Sequence, residues 1–436
     1  MGEVLGAEPD LIDRYGVSRA VLREAVRIVE FLGVARMRQG PGGGLVVTAP
    51  DATAVTTAAL VYFAFDRVKL EEVLGARRII EETAVELAAT RATDAQLDQL
   101  REWLDATFRS PAERDDHWEL HDVVAGLTAN PGIDLFVKII SRITALYGAS
   151  GRPSASKLRQ ERVATLASHR RIVDAIYSRD LAQARLAMRE HLEEIEAFLL
   201  SRRGRATVTI GDPDRDFPGT KLGGRIAMDM LVDIVDRGWP VGELVGSEAK
   251  LMQRHEASRA VVREAIRLLE FHQVVSTRRG PGGGVFVAAP SIDAVAEAMA
   301  VHLDFQGIDR QQLFEVRCAL EVATVQIAAT SFDDRRIEHL HEAVVTERKA
   351  NIDEVGRASH AWHGMIAELT ENRAVLLFVL VLIRLTEERG GVPSSESAEV
   401  VWHAHSAIMS AIADHDPERA ERRMRRHLDA ITPTLR

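Results

Sequence analysis

Six histidines fall into two matched sets. His121, His169 and His191 lie in the first half of the chain, and His363, His405 and His427 in the second. The last two of each set are 22 residues apart in both halves, and the text around them repeats, HRRIVDAIYSRDLAQARLAMREHL against HSAIMSAIADHDPERAERRMRRHL. Three neutral imidazoles converging inside a helical bundle can hold Zn²⁺ or another first-row divalent ion, with a position left for water or a carboxylate. Asn130 and Asn372 each stand nine residues beyond the first histidine of their set. Arg77 in RRIIE and Arg317 in RCALE occupy equivalent places. Such an arginine can meet an effector carboxylate, or pair on the helix surface with the glutamate four residues on. These four residues are the candidate effector contacts. Trp103, Trp118, Trp362 and Trp402 read as core.

A second chemical pattern uses arginine. Arg19 and Arg23 lie four apart, as do Arg259 and Arg263, and each pair follows a serine, Ser18 or Ser258. A helix that opens with Ser-Arg can push its N-terminus into a DNA major groove. Arginine suits bidentate contact with guanine edges or clamping of phosphate, and the serine hydroxyls can reach phosphate. Each pair is followed by GPGGG, running from Gly40 to Gly44 and from Gly280 to Gly284. Its nearly bare tip, with Gly42, Gly43, Gly282 and Gly283, would let backbone approach the sugar-phosphate rail.

The elements that carry these residues are themselves duplicated. Residues 1–50 align with 241–290 without a gap, about half of the positions being identical. A repeated unit of that length is a repeated domain. In the second copy, apolar residues at helical spacing over 224–238 stop at Gly238. A helix over 247–255 has Ser247 as its cap, and a third over 258–272 has Ser258. VVSTRRGPGGGVFVAA then alternates as two strands around the glycine tip. Three helices and such a wing make a winged helix-turn-helix. The first copy starts at Met1 where the second has Val241, so the expected first head is without a counterpart of helix 224–238. The expected fold is mainly α: two winged helix-turn-helix heads, 1–50 and 219–290, each followed by an all-α bundle, 51–204 and 291–436. RATVTIGDPDRDFP, 205–218, breaks the helical pattern and reads as the linker.

Composition narrows the function classes. No apolar run reaches the roughly 18 residues of a membrane span, and AVLLFVLVLIRL (374–385) reads as a buried helix. The single cysteine, Cys318, excludes an internal disulfide and a cysteine-rich zinc finger. With no signal-peptide pattern, the expected compartment is the cytoplasm. The net charge is −10, but residues 1–50 hold six arginines against six acids, and 241–290 hold seven Lys and Arg against five acids. An acidic body with neutral-to-basic heads is compatible with DNA binding, because local potential steers the contact. No G-x-G-x-x-G fold signature, P-loop or nucleophile elbow is present.

SEAKLMQRHEASRAVVREAIRLLE followed by a glycine-rich wing resembles the DNA-binding domain of the GntR family of bacterial transcription regulators. The helical bodies resemble the effector (FCD) domain of its FadR branch. The resemblance covers nearly the whole chain twice, as if two protomers of a homodimer were fused into an intramolecular pseudo-dimer that can also self-associate. It implies a repressor-type regulator of double-stranded DNA, controlled by a small carboxylate-bearing metabolite, a metal, or both. The heads differ at Gly16-Val17 against Glu256-Ala257, so the expected operator is an imperfect inverted repeat. The family's metal set is an aspartate and three histidines, with the aspartate four residues before the first histidine. Here those places hold His117 and Ser359, so the first body, with His117 as fourth ligand, is expected to bind metal more tightly. Pro9 and Ala249 stand where the family has an arginine after the glutamate that opens the second helix. Two other functions fit parts of the pattern: a metal-dependent hydrolase using three histidines, and an effector-free DNA-binding protein.

Overall fold

The computed structural model describes residues 2–38, 40, 43–109, 119–148, 155–203, 207–208, 222–330, 334–351, 354–389 and 395–431. In the first half the elements are β1 (Val4–Gly6), α1 (Glu8–Tyr15), α2 (Arg19–Phe31), β2 (Ala35–Arg38), β3 (Gly44–Val47) and α3 (Ala52–Phe65). They continue with α4 (Leu70–Arg91), α5 (Asp94–Arg109), α6 (Glu119–Leu127), α7 (Pro131–Gly148), α8 (Ala155–Tyr177) and α9 (Leu181–Arg203). The second half opens with α10 (Leu222–Asp236), then β4 (Leu244–Gly246), α11 (Glu248–Arg254), α12 (Arg259–Phe271), β5 (Val275–Arg278), β6 (Gly284–Val287) and α13 (Ile292–Phe305). Its body is α14 (Arg310–Ala329), α15 (Asp334–Lys349), α16 (Val355–Leu369), α17 (Arg373–Arg389), α18 (Ser395–Ala413) and α19 (Pro417–Ile431).

The chain forms two compact units, but they do not follow its halves. One holds residues 1–68 and 207–305, the other 69–206 and 306–436. The expected body boundaries at 51 and 291 are therefore corrected: α3 and α13 group with the heads. The reason is apolar surface. α3 buries Val55 and the run Ala58 to Ala64, more than one helix face can cover alone, and it packs on its counterpart α13. Of the linker 205–218, only Thr207 and Val208 are among the described residues, and Val208 N–H donates to the Val68 carbonyl at 2.6 Å.

Each wing has three strands, ordered β1-β3-β2 and β4-β6-β5, where two were expected. The added strand spans only three residues, too short to show alternation. The hairpin registers match, Ala35 facing Val47 in one head and Val275 facing Val287 in the other. In the second head α10 packs against α12, and Val262, Ala265 and Leu269 are buried. The first head buries Leu11, Leu22, Val26, Ala35 and Leu45, and no described helix corresponds to α10. Its Ala25, equivalent to Ala265, is exposed, and Val21 and Ile28 are 54% and 56% exposed. Phe31 meets Phe271, its own equivalent, with ring centroids 5.9 Å apart.

The body unit contains the same kind of self-equivalent contact. Phe136 on α7 stacks on Phe378 on α17, centroids 4.1 Å apart, both fully buried. Asn130 Nδ2 donates to the Gln312 carbonyl at 2.9 Å, and Asn372 Nδ2 to the Glu72 carbonyl at 2.8 Å. Gln312 and Glu72 are equivalent residues, so the two contacts are one contact made twice. Their side-chain oxygens accept from Gly132 and Val375 N–H and so cap α7 and α17. Asn130 and Asn372, expected as effector contacts, thus lie in the seam between the bodies. Residues meeting their own equivalents mark an isologous interface, here closed within one chain. Among the described residues no helix is long and apolar enough to cross a membrane.

Phe136→Ala should cost about 3–5 kcal/mol in denaturant titration. Phe378→Ala added to it should cost much less than that again, because the partner ring is already gone. Costs that add to within about 0.5 kcal/mol would show that the two rings do not support each other.

Candidate metal centres and DNA-reading faces

Both recognition helices open at the expected serine. Ser18 caps α2, its hydroxyl accepting from Val21 N–H at 3.3 Å. Ser258 has the same extended backbone but makes no capping bond, contrary to expectation, which leaves its hydroxyl for other contacts. Arg19 and Arg23 converge on Glu8 at 3.4 and 3.0 Å. Arg259 and Arg263 converge on Glu248 at 3.0 and 3.1 Å. The arginine side chains remain 47–70% exposed. Each glutamate comes from the preceding helix, so the turn between the two helices aims both guanidinium groups outward. Glu8 and Glu248 were missed in the sequence, although both repeat at the same offset as the arginines.

The wing tips are glycine for a steric reason. A Cβ on Gly43 would lie 2.3 Å from the Arg38 carbonyl oxygen, and one on Gly283 would lie 2.5 Å from that of Arg278. Gly282 also has φ +75°, the left-handed region. The expected contact at Gly42 lies outside the described residues.

The histidine sets assemble as their spacing suggests. His121, His169 and His191 come together from α6, α8 and α9, and His363, His405 and His427 from α16, α18 and α19. All six are buried, and within each set the ligand nitrogens lie within 4.8 Å of one another. His191 Nε2 is 3.3 Å from His121 Nε2, and His427 Nε2 is 3.2 Å from His405 Nε2 and 3.3 Å from His363 Nε2. A tetrahedral ion with bonds of about 2.0–2.1 Å to nitrogen needs ligand–ligand edges of about 3.3 Å.

The opposite ring nitrogens are tied back. His121 Nδ1 meets Glu81, and His363 Nδ1 meets the equivalent Glu321 at 2.5 Å. His191 Nδ1 contacts Ser168 at 2.8 Å, and His405 Nδ1 contacts Glu347 at 2.9 Å. A carboxylate on Nδ1 holds that proton and turns the Nε2 lone pair inward. At this separation the three nitrogens either share an N–H between neighbours or turn their lone pairs to a common cation, and the donor set fits a divalent transition metal. Arg77 donates to Glu81 at 2.6 Å and Arg317 to Glu321 at 2.5 Å, all four side chains buried. These are buried pairs and not pairs on a helix surface, and the glutamates orient histidine. Burial alone would raise the Glu81 carboxyl, but Arg77 and His121 hold it down at about 2.

The two centres are not copies. His117, the expected fourth ligand, lies outside the described residues. In the second body Ser359 stands in the aspartate's place and hydrogen-bonds Glu347, whose carboxyl burial pushes up to about 7. Glu347 comes from α15, where the first half has Thr107. The serine therefore does not leave the second centre without a nearby carboxylate. His360 pairs with Glu387 at 3.4 Å.

Burial pushes His121, His191, His363, His405 and His427 below the ordinary imidazole value. Unfolded histidines take up protons near about pH 6.5 that these folded ones refuse. Stability is thus present above that value and falls as pH drops through it. Glu347 and Asp122, raised to about 7 and about 6, act in the opposite sense but are outnumbered. Chelator-treated protein should melt at a lower temperature at about pH 5 than at about pH 7. An unchanged melting temperature would mean that the triads are not buried as neutral imidazoles.

Both bodies match a known protein family. The FCD domain family model matches residues 72–194 and again 312–430. The chain is 28% identical over 240 residues to the HTH-type transcriptional repressor NanR of Cronobacter sakazakii, covering 50% of this chain and 91% of that protein. It is 28% identical over 192 residues to the uncharacterized HTH-type transcriptional regulator YcbG of Bacillus subtilis, covering 44% of this chain and 79% of the relative. A solved Streptococcus agalactiae GntR structure aligns at 22% identity with a TM-score of 0.39, covering 49% of this chain and all of that one. The two family matches together span more than half of the chain. The protein therefore belongs to the FCD family, and with a winged head before each FCD domain it has the build of a GntR-type regulator twice over.

Proposed function

We propose that this chain is a DNA-binding transcription regulator whose two heads read the unequal halves of one imperfect inverted repeat. The observation that carries this reading is the matched display of Arg19 and Arg23 on Glu8 and of Arg259 and Arg263 on Glu248. Exposed guanidinium groups at a helix N-terminus can exchange a carboxylate partner for phosphate or a guanine edge. The bare wing tips would lie along the backbone beside them. Differences at the helix openings, Gly16-Val17 against Glu256-Ala257, supply different contacts for the two half-sites.

The FCD domains would supply control. His121, His169 and His191, and likewise His363, His405 and His427, would hold a divalent ion, which when bound offers a Lewis-acidic anchor for an effector carboxylate. Glu81 and Glu321 keep the imidazoles in the tautomer that presents Nε2, and Arg77 and Arg317 keep the glutamates ionised. An effector that binds two arrangements of the body unit unequally shifts their populations, and with them the fraction competent for DNA. The hydrolase alternative needs a general base on the open side of the metal. The glutamates beside the triads face Nδ1 instead, which favours regulation over catalysis.

Replacing Arg259 and Arg263 by Ala should weaken operator binding by about 1–3 kcal/mol for each base that these arginines read. Unchanged affinity in fluorescence anisotropy, with the fold intact, would remove α12 from the interface. Elemental analysis of protein purified without chelator should find one to two ions per chain, about the number of complete triads. Glu81→Gln should lower affinity at the first centre by about 10–100-fold. Absence of any ion would leave the histidines as packing residues.

A further inference from the structure

The two FCD bodies differ in a groove on the outer side of the bundle. In the first body α5 and α8 are laced together. The Arg101 guanidinium lies 3.5 Å from the Tyr177 ring centroid and 3.2 Å from Asp174. Arg170 pairs with Asp105 at 2.7 Å, and the Tyr177 hydroxyl donates to Asp98 at 3.3 Å. At the equivalent places the second body has His341, Ala413, Ser410, Ser406 and Val345. None of those four ties can form there. Between α15 and α18 a groove of about 690 Å³ opens instead.

Its lining is apolar along the floor and basic at one end. Val344 and Met409 form buried floor, Val345 is 39% exposed, and Ala413 leaves the space that a tyrosine ring fills in the other half. Arg348 stacks on Trp402, 4.2 Å from the ring centroid, and Lys349 stands beside it. No carboxylate among the described residues pairs with Arg348 or Lys349. From Glu338 at one end to Lys349 at the other, the groove follows α15 for about 16 Å. The volume lies in the range of small-ligand sites, about 300–1,000 Å³. An apolar trough with a cationic end matches a molecule with an apolar chain and an anionic head.

We propose that this groove is a ligand site separate from the histidine centres, present once per chain, for an amphiphilic carboxylate. The chain lies over Val344, Met409 and Ala413, and the carboxylate meets Arg348 and Lys349. The inference does not depend on DNA reading or on metal binding.

Isothermal titration of the full-length protein with decanoate tests it. One molecule should bind per chain, and decyltrimethylammonium, of the same length and opposite charge, should bind at least about tenfold more weakly. Ala413→Tyr, which restores the first body's residue, should abolish binding. Arg348→Gln with Lys349→Gln, both at the surface, should weaken binding by about tenfold without altering the melting temperature. Failure of the unmodified chain to bind decanoate would overturn the proposal. So would equal binding of both amphiphiles, two molecules per chain, or affinity unaffected by both variants. Binding of an acidic amphipathic helical peptide in place of decanoate would assign the groove to a protein partner and likewise overturn it.

Discussion

The stacking of Phe136 on Phe378 is the contact on which the body unit depends. Around it, α4 of the first bundle packs on α14 and α17 of the second, and α7 packs on α14. Asn130 and Asn372 seal the contact between the halves by donating to equivalent carbonyls. α3 and α13 bring the same logic to the head unit, where Phe31 meets Phe271. In a homodimer such surfaces meet at a rate and population set by protein concentration. Tethered in one chain, they meet at an effective concentration set by the connection.

Tethering also frees the halves from being identical. A homodimer must use one sequence for both sides of its axis, whereas this chain can change one side alone. The second body has Ser359 with Glu347 where the first has His117 and Thr107. It has Ala413 and Ser406 where the first ties α5 to α8 through Tyr177 and Arg170. The recognition helices of the two heads open differently, after Gly16-Val17 in one and after Glu256-Ala257 in the other. Two similar scaffolds thus present different chemistry on heads and bodies alike.

The histidine triads and arginine pairs were legible in the sequence because helical spacing is rigid. Twenty-two residues from His169 to His191 span a turn between two long helices, and repetition of that spacing identified both centres. The Arg-Glu pairs were legible as pairs but not as buried ones. Whether a helix face meets solvent or three neighbouring helices is decided by packing that local spacing does not encode. Glu347 was invisible for a related reason: it reaches His405 from a helix 58 residues away, with no counterpart in the first half to flag it. The seam contacts of Asn130 and Asn372 were not legible, because each reaches a carbonyl of the other body that is remote in sequence. The short third strands and the allegiance of α3 and α13 depend on partners distant in sequence, which is where local pattern fails.

Whether one chain supplies both unlike halves of a DNA reader is tested most directly by selecting binding sites from random duplex DNA and then measuring the native mass of the selected complex. The predicted result is an imperfect inverted repeat whose half-sites differ, occupied by a single chain. A perfect palindrome occupied by two chains would contradict it, because identical heads from separate chains would then be doing the reading.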